Sequence, residues 1–218
     1  MKRSLPDGIK PREPALALWS DQCFGEISDQ KIARFAKAFQ FSMTIHRDVF
    51  RKSGESYYRH DCRAAARVRA AGFDLDIVTA VLMHESIEDD GWTVERLCAN
   101  FNENIAFIVD GVSKRPKDHF ASRQQRLEDH LERMKEAIAR KWEVALVKLV
   151  DRLENTTDTA GLSPEDKHRL FTETETDFLP LFDWAKRFVP LEYQSIFNIW
   201  IQEIEFACDN YWRTQALG

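Results

Sequence analysis

The sequence predicts an all-α protein, and three observations support that prediction. Apolar residues recur three and four apart along most of the chain, the period of a helix with one buried face. Strand signals are scarce: the pairs Asp7-Gly8, Asp90-Gly91 and Asp110-Gly111 do not lie between alternating apolar runs, as a hairpin requires. Eight glycines and seven prolines in 218 residues are too few to punctuate a series of short strands.

Each helix has its own signal. Ile32, Phe35, Ala36 and Phe39 give the first apolar stripe, with Asp29 as its expected N-cap. Ala64, Ala65, Val68 and Ala71 form a second, closed by Gly72. Asp74 is placed to cap a third, which turns Leu75, Val78, Val81 and Leu82 inward. Thr93 starts a short helix with Val94, Leu97 and Phe101 on its apolar face, and Arg96 stands where a capping box would need Glu or Gln. Asn104 leads into "IAFIVDGVSK", read as a helix broken near Gly111. From Phe120 to Arg140 a charged helix carries the narrow stripe Leu127, Leu131, Met134 and Ile138. "EVALVKLVDRLENT" (residues 143–156) is strongly apolar. "SPED" from Ser163 is a helix start with proline in the first turn, and two more helices run to about Trp212. Residues 1–25 read as irregular, and residues 26–218 as one domain.

Composition narrows the function. Hydrophobic residues at 44% and charged residues at 31% are the balance of a globular domain, and a net charge of -5 excludes a global field that would recruit nucleic acid. No apolar stretch approaches the roughly 20 residues of a membrane span, and the start is too charged for a signal peptide. Cys23, Cys62, Cys98 and Cys208 form no CxxC pair, so neither a zinc knuckle nor a disulfide framework is expected, and a cytoplasmic setting is the expectation. A small-molecule partner is expected, and homo-oligomerisation is left open.

Three stretches carry chemistry. In "AVLMHESIEDDGW" (residues 80–92), Glu88 stands where a zinc protease would have the second histidine of HExxH. On a continuing helix His84 and Glu88 would share one face, with Glu85 and Asp89 about 100° round. Acidic groups at a helix C-terminus oppose the macrodipole, which a cation would relieve; the alternative is a polar helix end with Asp90 in solvent. In "RKSGESYYRH", Arg51 and Lys52 precede the turn-forming Ser53-Gly54, and His60 follows. That pattern suits a phosphate or a purine face, or else a surface loop before a core histidine. In "KLVDRLEN", Asp151 sits within an apolar helix and needs a partner: Lys148 or Asn155 on its own face, an Arg from another helix, or a metal. Together these supply two imidazoles and two carboxylates, a set that suits Mn²⁺, Fe²⁺ or Zn²⁺.

Four segments in order resemble the HD-domain phosphohydrolases, in particular the hydrolase domain of RelA/SpoT-type alarmone enzymes and their stand-alone small relatives. They are "RKSGESYYRH", "DIVTAVLMHESIEDD", "FNENIAFIVDGVSK" and "VALVKLVDRLENT", within about residues 30–156. The resemblance implies a helical bundle of roughly eight to ten helices, with residues 160–212 as closing helices. It implies His60, His84, Glu85 and Asp151 as ligands of a divalent metal, Mn²⁺ being expected. It implies Glu88 and Asp89 as the acid/base pair, Arg51, Lys52 and Ser53 as the base-holding loop, and Lys148 and Asn155 at the sugar and phosphate end. The implied activity is removal of the 3′-pyrophosphate from (p)ppGpp-like alarmones. Alternatives are another nucleotide substrate (the 2′-phosphate of NADPH, a ppApp-like molecule or a deoxynucleotide) and a nucleotide binder without catalysis. The chain departs from the pattern at Glu85, where the family has Asp, at Asp61, where it has Pro, and after Asn155, where a basic residue is lost.

Overall fold

The structure, a computed structural model, describes residues 28–46 and 48–216. The expected irregular segment over residues 1–25, with Cys23, lies outside them. All regular structure among the described residues is helical, save one isolated bridge between Phe50 and Ser56. The chain divides into two compact units, Met1–Asp110 and Gly111–Gly218.

In the first unit, α1 (Asp29–Ile45) and α2 (Tyr57–Ala70) both pack on α3 (Leu75–Leu82). All eight residues of α3 are buried, as its near-continuous apolar sequence requires. Arg34 on α1 grips Asp76 of α3 through Nη2 and Nε at 2.9–3.1 Å, and Asn102 donates to the same carboxylate at 2.9 Å. Gly72, at φ +85°, ends α2 as expected, because a side chain is strained in that left-handed conformation. Asp74 caps α3 and Thr93 caps α4 (Val94–Asn100), also as expected. Two caps shift. Ser28 rather than Asp29 caps α1, and Asn102 rather than Asn104 leads into α5 (Glu103–Val112), its side chain accepting from Ile105 N at 2.8 Å.

In the second unit, α6 (Arg123–Arg140) and α10 (Leu191–Ala216) pack on α7 (Glu143–Thr157). α5 ends at Val112, one residue past Gly111 and so where the sequence put the break. At Gly111 a Cβ would meet both Val144 methyls at 3.0 Å and Ala137 Cβ at 3.1 Å, so the glycine also allows close packing. On α6 the expected stripe is altered: His130 is buried while Leu131 is only half-buried. Ser163 caps α8 (Pro164–Glu173), which continues through one π-helical turn, Thr174–Phe178, into α9 (Leu179–Ala185). Pro180 cannot donate to the carbonyl of Thr176, so the regular ladder is interrupted there. Of the aromatic stripe on α10, Trp200 is core and Phe206 is exposed.

Candidate metal centre

The centre of the first unit is built where α3 stops. Its regular ladder ends at Leu82, and residues 83–89 continue as turns rather than as the helix expected from sequence. The cause is local. The carbonyl of Val81 would accept from Glu85 N in a continuing helix. It instead faces His84, whose N lies at 3.4 Å and whose Nδ1 lies at 2.7 Å. Ser86 Oγ donates to the Met83 carbonyl at 2.6 Å. Such side-chain hydrogen bonds compete with the helical ladder and draw it into three-residue turns. His84 and Glu88 therefore do not share a helix face: His84 is buried, Glu85 half-buried, and Glu88 and Asp89 stand on the exposed rim.

The turn brings His84 against α2. His60 and His84 have ring centroids 6.0 Å apart, and one ligand atom each from His60, Asp61 and His84 falls within 4.8 Å of the others. All three are buried. Glu85 Oε1 lies 3.9 Å from His84 Nε2 and accepts from the Tyr57 hydroxyl at 2.9 Å. Glu85 also forms a second such group with His46 and Asp61.

Asp61 is the residue that sequence reasoning missed. Its Oδ2 accepts from Ser42 Oγ at 2.7 Å and pairs with His46 Nδ1 at 3.1 Å, while its buried Oδ1 has no hydrogen-bond partner. Ser42 and His46 are one turn apart on the end of α1, which aims both at α2. Burial disfavours a charged His46 ring, but hydrogen bonds and charge from Asp61 and Asp90 outweigh it and push the pKa up to about 10. Asp90 is thus no solvated carboxylate: its side chain is almost wholly covered and lies 3.6 Å from His46 Nε2. The available signal for Asp61 was the His60-Asp61 dipeptide itself, a second donor beside a predicted ligand.

This donor set fits a divalent cation. An acceptor atom of a buried carboxylate with no hydrogen-bond partner is costly, and Asp61 Oδ1 is such an atom beside two imidazoles. The contact between His84 Nδ1 and the Val81 carbonyl sets the tautomer and presents Nε2 as the ligand nitrogen.

The loop over residues 51–54, expected to hold the base, is a tight turn leading into α2. Gly54 N donates to the Arg51 carbonyl and Arg51 N to the Glu55 carbonyl, each at 2.8 Å, and Gly54 has φ +83°. Arg63 fixes the loop through Glu55 at 2.6 and 2.7 Å. The Arg51 guanidinium lies 5.8 Å from the centroid of the Tyr57 ring, whose hydroxyl holds Glu85. One aromatic side chain thereby links the loop to the donor cluster.

In the second unit α7 brings together Asp151, Lys148 and Asn155. Lys148 Nζ donates to Asp151 Oδ2 at 2.7 Å and Asn155 Nδ2 to Oδ1 at 2.6 Å. These are the neighbours one turn back and one turn on that the sequence offered, and the buried carboxylate is satisfied by both.

Comparison with known proteins places this geometry. The family model described as "HD domain" matches residues 38–187. A probable guanosine-3′,5′-bis(diphosphate) 3′-pyrophosphohydrolase of Synechocystis sp. is 37% identical over 145 residues, covering 66% of this chain and 19% of the relative. The corresponding enzyme of Haemophilus influenzae is 37% identical over 136 residues, covering 62% and 20%. That of Aquifex aeolicus is 28% identical over 202 residues, covering 86% and 28%. The chain thus spans between about a fifth and a third of the length of these relatives. A solved structure titled as a metazoan ortholog of SpoT that hydrolyzes ppGpp superposes with a TM-score of 0.62 at 20% identity, covering 85% of this chain and 97% of that one. At that identity the likeness establishes the all-α fold. No helix among the described residues is long and apolar enough to cross a membrane.

Proposed function

The chain belongs to the HD-domain family, and from that premise we propose that it is a metal-dependent phosphohydrolase removing the 3′-pyrophosphate from (p)ppGpp-like alarmones in the cytoplasm. The observation that carries the reading is the buried His60–Asp61–His84 cluster directly beside the Arg51–Gly54 loop. In this reading His60, His84 and Glu85 hold the ion, Asp61 Oδ1 is a further donor in the cluster, and the sequence pattern adds Asp151. A bound divalent ion, Mn²⁺ by expectation, supplies polarisation of a phosphate oxygen and a lowered pKa for a water.

The chain's own groups do the rest. The Glu88 carboxylate, exposed on the rim, accepts the proton of the attacking water, and Asp89 orients that water toward the phosphorus on the 3′-oxygen. The new phosphorus–oxygen bond forms as the bond to the 3′-oxygen breaks, so pyrophosphate leaves and the 3′-oxygen takes a proton. Arg51, Lys52 and Ser53 bind the base, Arg51 presenting a planar face. Lys148 supplies a positive charge and Asn155 an amide to the sugar and phosphate end. His46 pairs with Asp61 Oδ2 at 3.1 Å and so orients the carboxylate in the cluster.

The test measures metal content and turnover in the intact chain and in the variants His84→Ala, Asp151→Ala and Glu88→Ala. Loss of metal in the first two, and loss of turnover with metal retained in the third, are expected. Full retention of metal and turnover in Asp151→Ala removes that ligand, and tight nucleotide binding without turnover in the intact chain rejects the enzyme. A panel of ppGpp, a ppApp-like nucleotide, NADPH and deoxynucleoside triphosphates fixes the substrate class.

A further inference from the structure

The second unit contains a cavity of about 520 Å³ that the hydrolase reading does not use. Lys114, Lys117, Arg123, Arg126 and Arg152 line it against one carboxylate, Glu173. Arg123 already pairs with that carboxylate at 2.7 Å, and basic side chains outnumber acidic ones in the lining. Phe120 and Phe178 contribute the apolar surface.

Arg152 separates this cavity from an ordinary basic surface. It is only 7% exposed, and its guanidinium packs on the Phe178 ring, 3.8 Å from the centroid. Its Nη1 reaches Thr174 Oγ1 only at 3.5 Å, and its buried Nε has no hydrogen-bond partner. A guanidinium stays charged in proteins, and burying it with an unmet donor is costly unless an anion supplies the acceptor. The same positive field is felt at His130, where burial is the first cause of a lowered pKa and Lys148, Lys114, Arg133 and Arg152 add to it.

The backbone supports the same ligand chemistry. Ala121, Ser122 and Arg123 open the 18-residue helix α6 into the cavity, and the start of a long helix carries partial positive charge. The π-helical turn Thr174–Phe178 begins directly after Glu173 and ends on Phe178, both of which line the cavity. Such turns reposition side chains and recur at functional sites.

We propose that this cavity binds a diphosphate group, with its oxygens on Lys114, Lys117, Arg126 and the buried Arg152. The group is either free pyrophosphate or the diphosphate of a nucleotide; the cavity has room for both. The assignment rests on the second unit's own residues and stands apart from the hydrolase reading.

The test is calorimetric titration of the full chain carrying His84→Ala and stripped of metal, so that the metal centre does not contribute. Inorganic pyrophosphate and GDP are the two probes. Binding of pyrophosphate, weakened at least about tenfold by Lys117→Glu with Arg123→Glu and again by raised salt, is expected. Both substituted side chains are exposed, and Lys117→Ala serves if the double variant fails to fold. Equal binding of both probes means that the phosphates alone are read, and binding of GDP alone means that the nucleoside takes part; either supports the site. No binding of either probe, or binding unchanged by the substitutions, overturns it.

Discussion

Replacing His130 by leucine changes the acid stability of the protein by an amount that the structure sets. The His130 ring is 1% exposed, and neither nitrogen has a hydrogen-bond partner. Burial, then the charges of Lys148, Lys114, Arg133 and Arg152, hold its pKa far below the ordinary 6.5. The folded protein therefore keeps His130 neutral, while the unfolded chain takes up a proton as pH falls through about 6.5. Below that value the unfolded state binds one more proton than the native state. The group then removes about 1.4 kcal/mol of stability per pH unit, or about 2.7 kcal/mol between pH 6.5 and 4.5. Leucine is similar in size, has nothing to protonate and leaves no buried nitrogen unsatisfied, so the variant gains about 1–3 kcal/mol at pH 7.5. Urea unfolding of both proteins at pH 7.5, 6.5, 5.5 and 4.5 measures this. The two stability curves diverge on the acid side, the wild type falling faster. Parallel curves would refute the buried neutral imidazole.

Gly111→Ala lowers stability by about 1 kcal/mol, because the overpacking against Val144 and Ala137 exceeds the helix propensity that alanine gains; urea unfolding reads it, and a more stable variant contradicts the close approach. Tyr57→Phe removes the hydroxyl that holds Glu85 and weakens divalent-metal affinity by about tenfold with little change in melting temperature. Chelator competition checks it, and unchanged affinity detaches Glu85 from the ion.

Legibility differed between the fold and the site. The helices were readable because burial of one face imposes a three- and four-residue period, and caps such as Asp74, Thr93 and Ser163 are local hydrogen bonds between near neighbours. Asp151 with Lys148 and Asn155 was readable for the same reason, all three lying within two turns of one helix. The helix end near Gly111 was readable, but the close approach there was not, because its neighbours, Ala137 and Val144, are distant in sequence.

The sequence by itself determined the all-α class, the positions of most helices and the residue types of a candidate metal site. Tertiary structure alone decided how those residues meet. It put Asp61 into the donor cluster with His46 and Ser42 behind it, and buried Arg152 in the wall of a basic cavity. Periodicity and capping depend on spacing along the chain. Where the partners of a buried charge lie on other elements, they depend on which side chains the fold brings within about 3 Å, and spacing does not encode that.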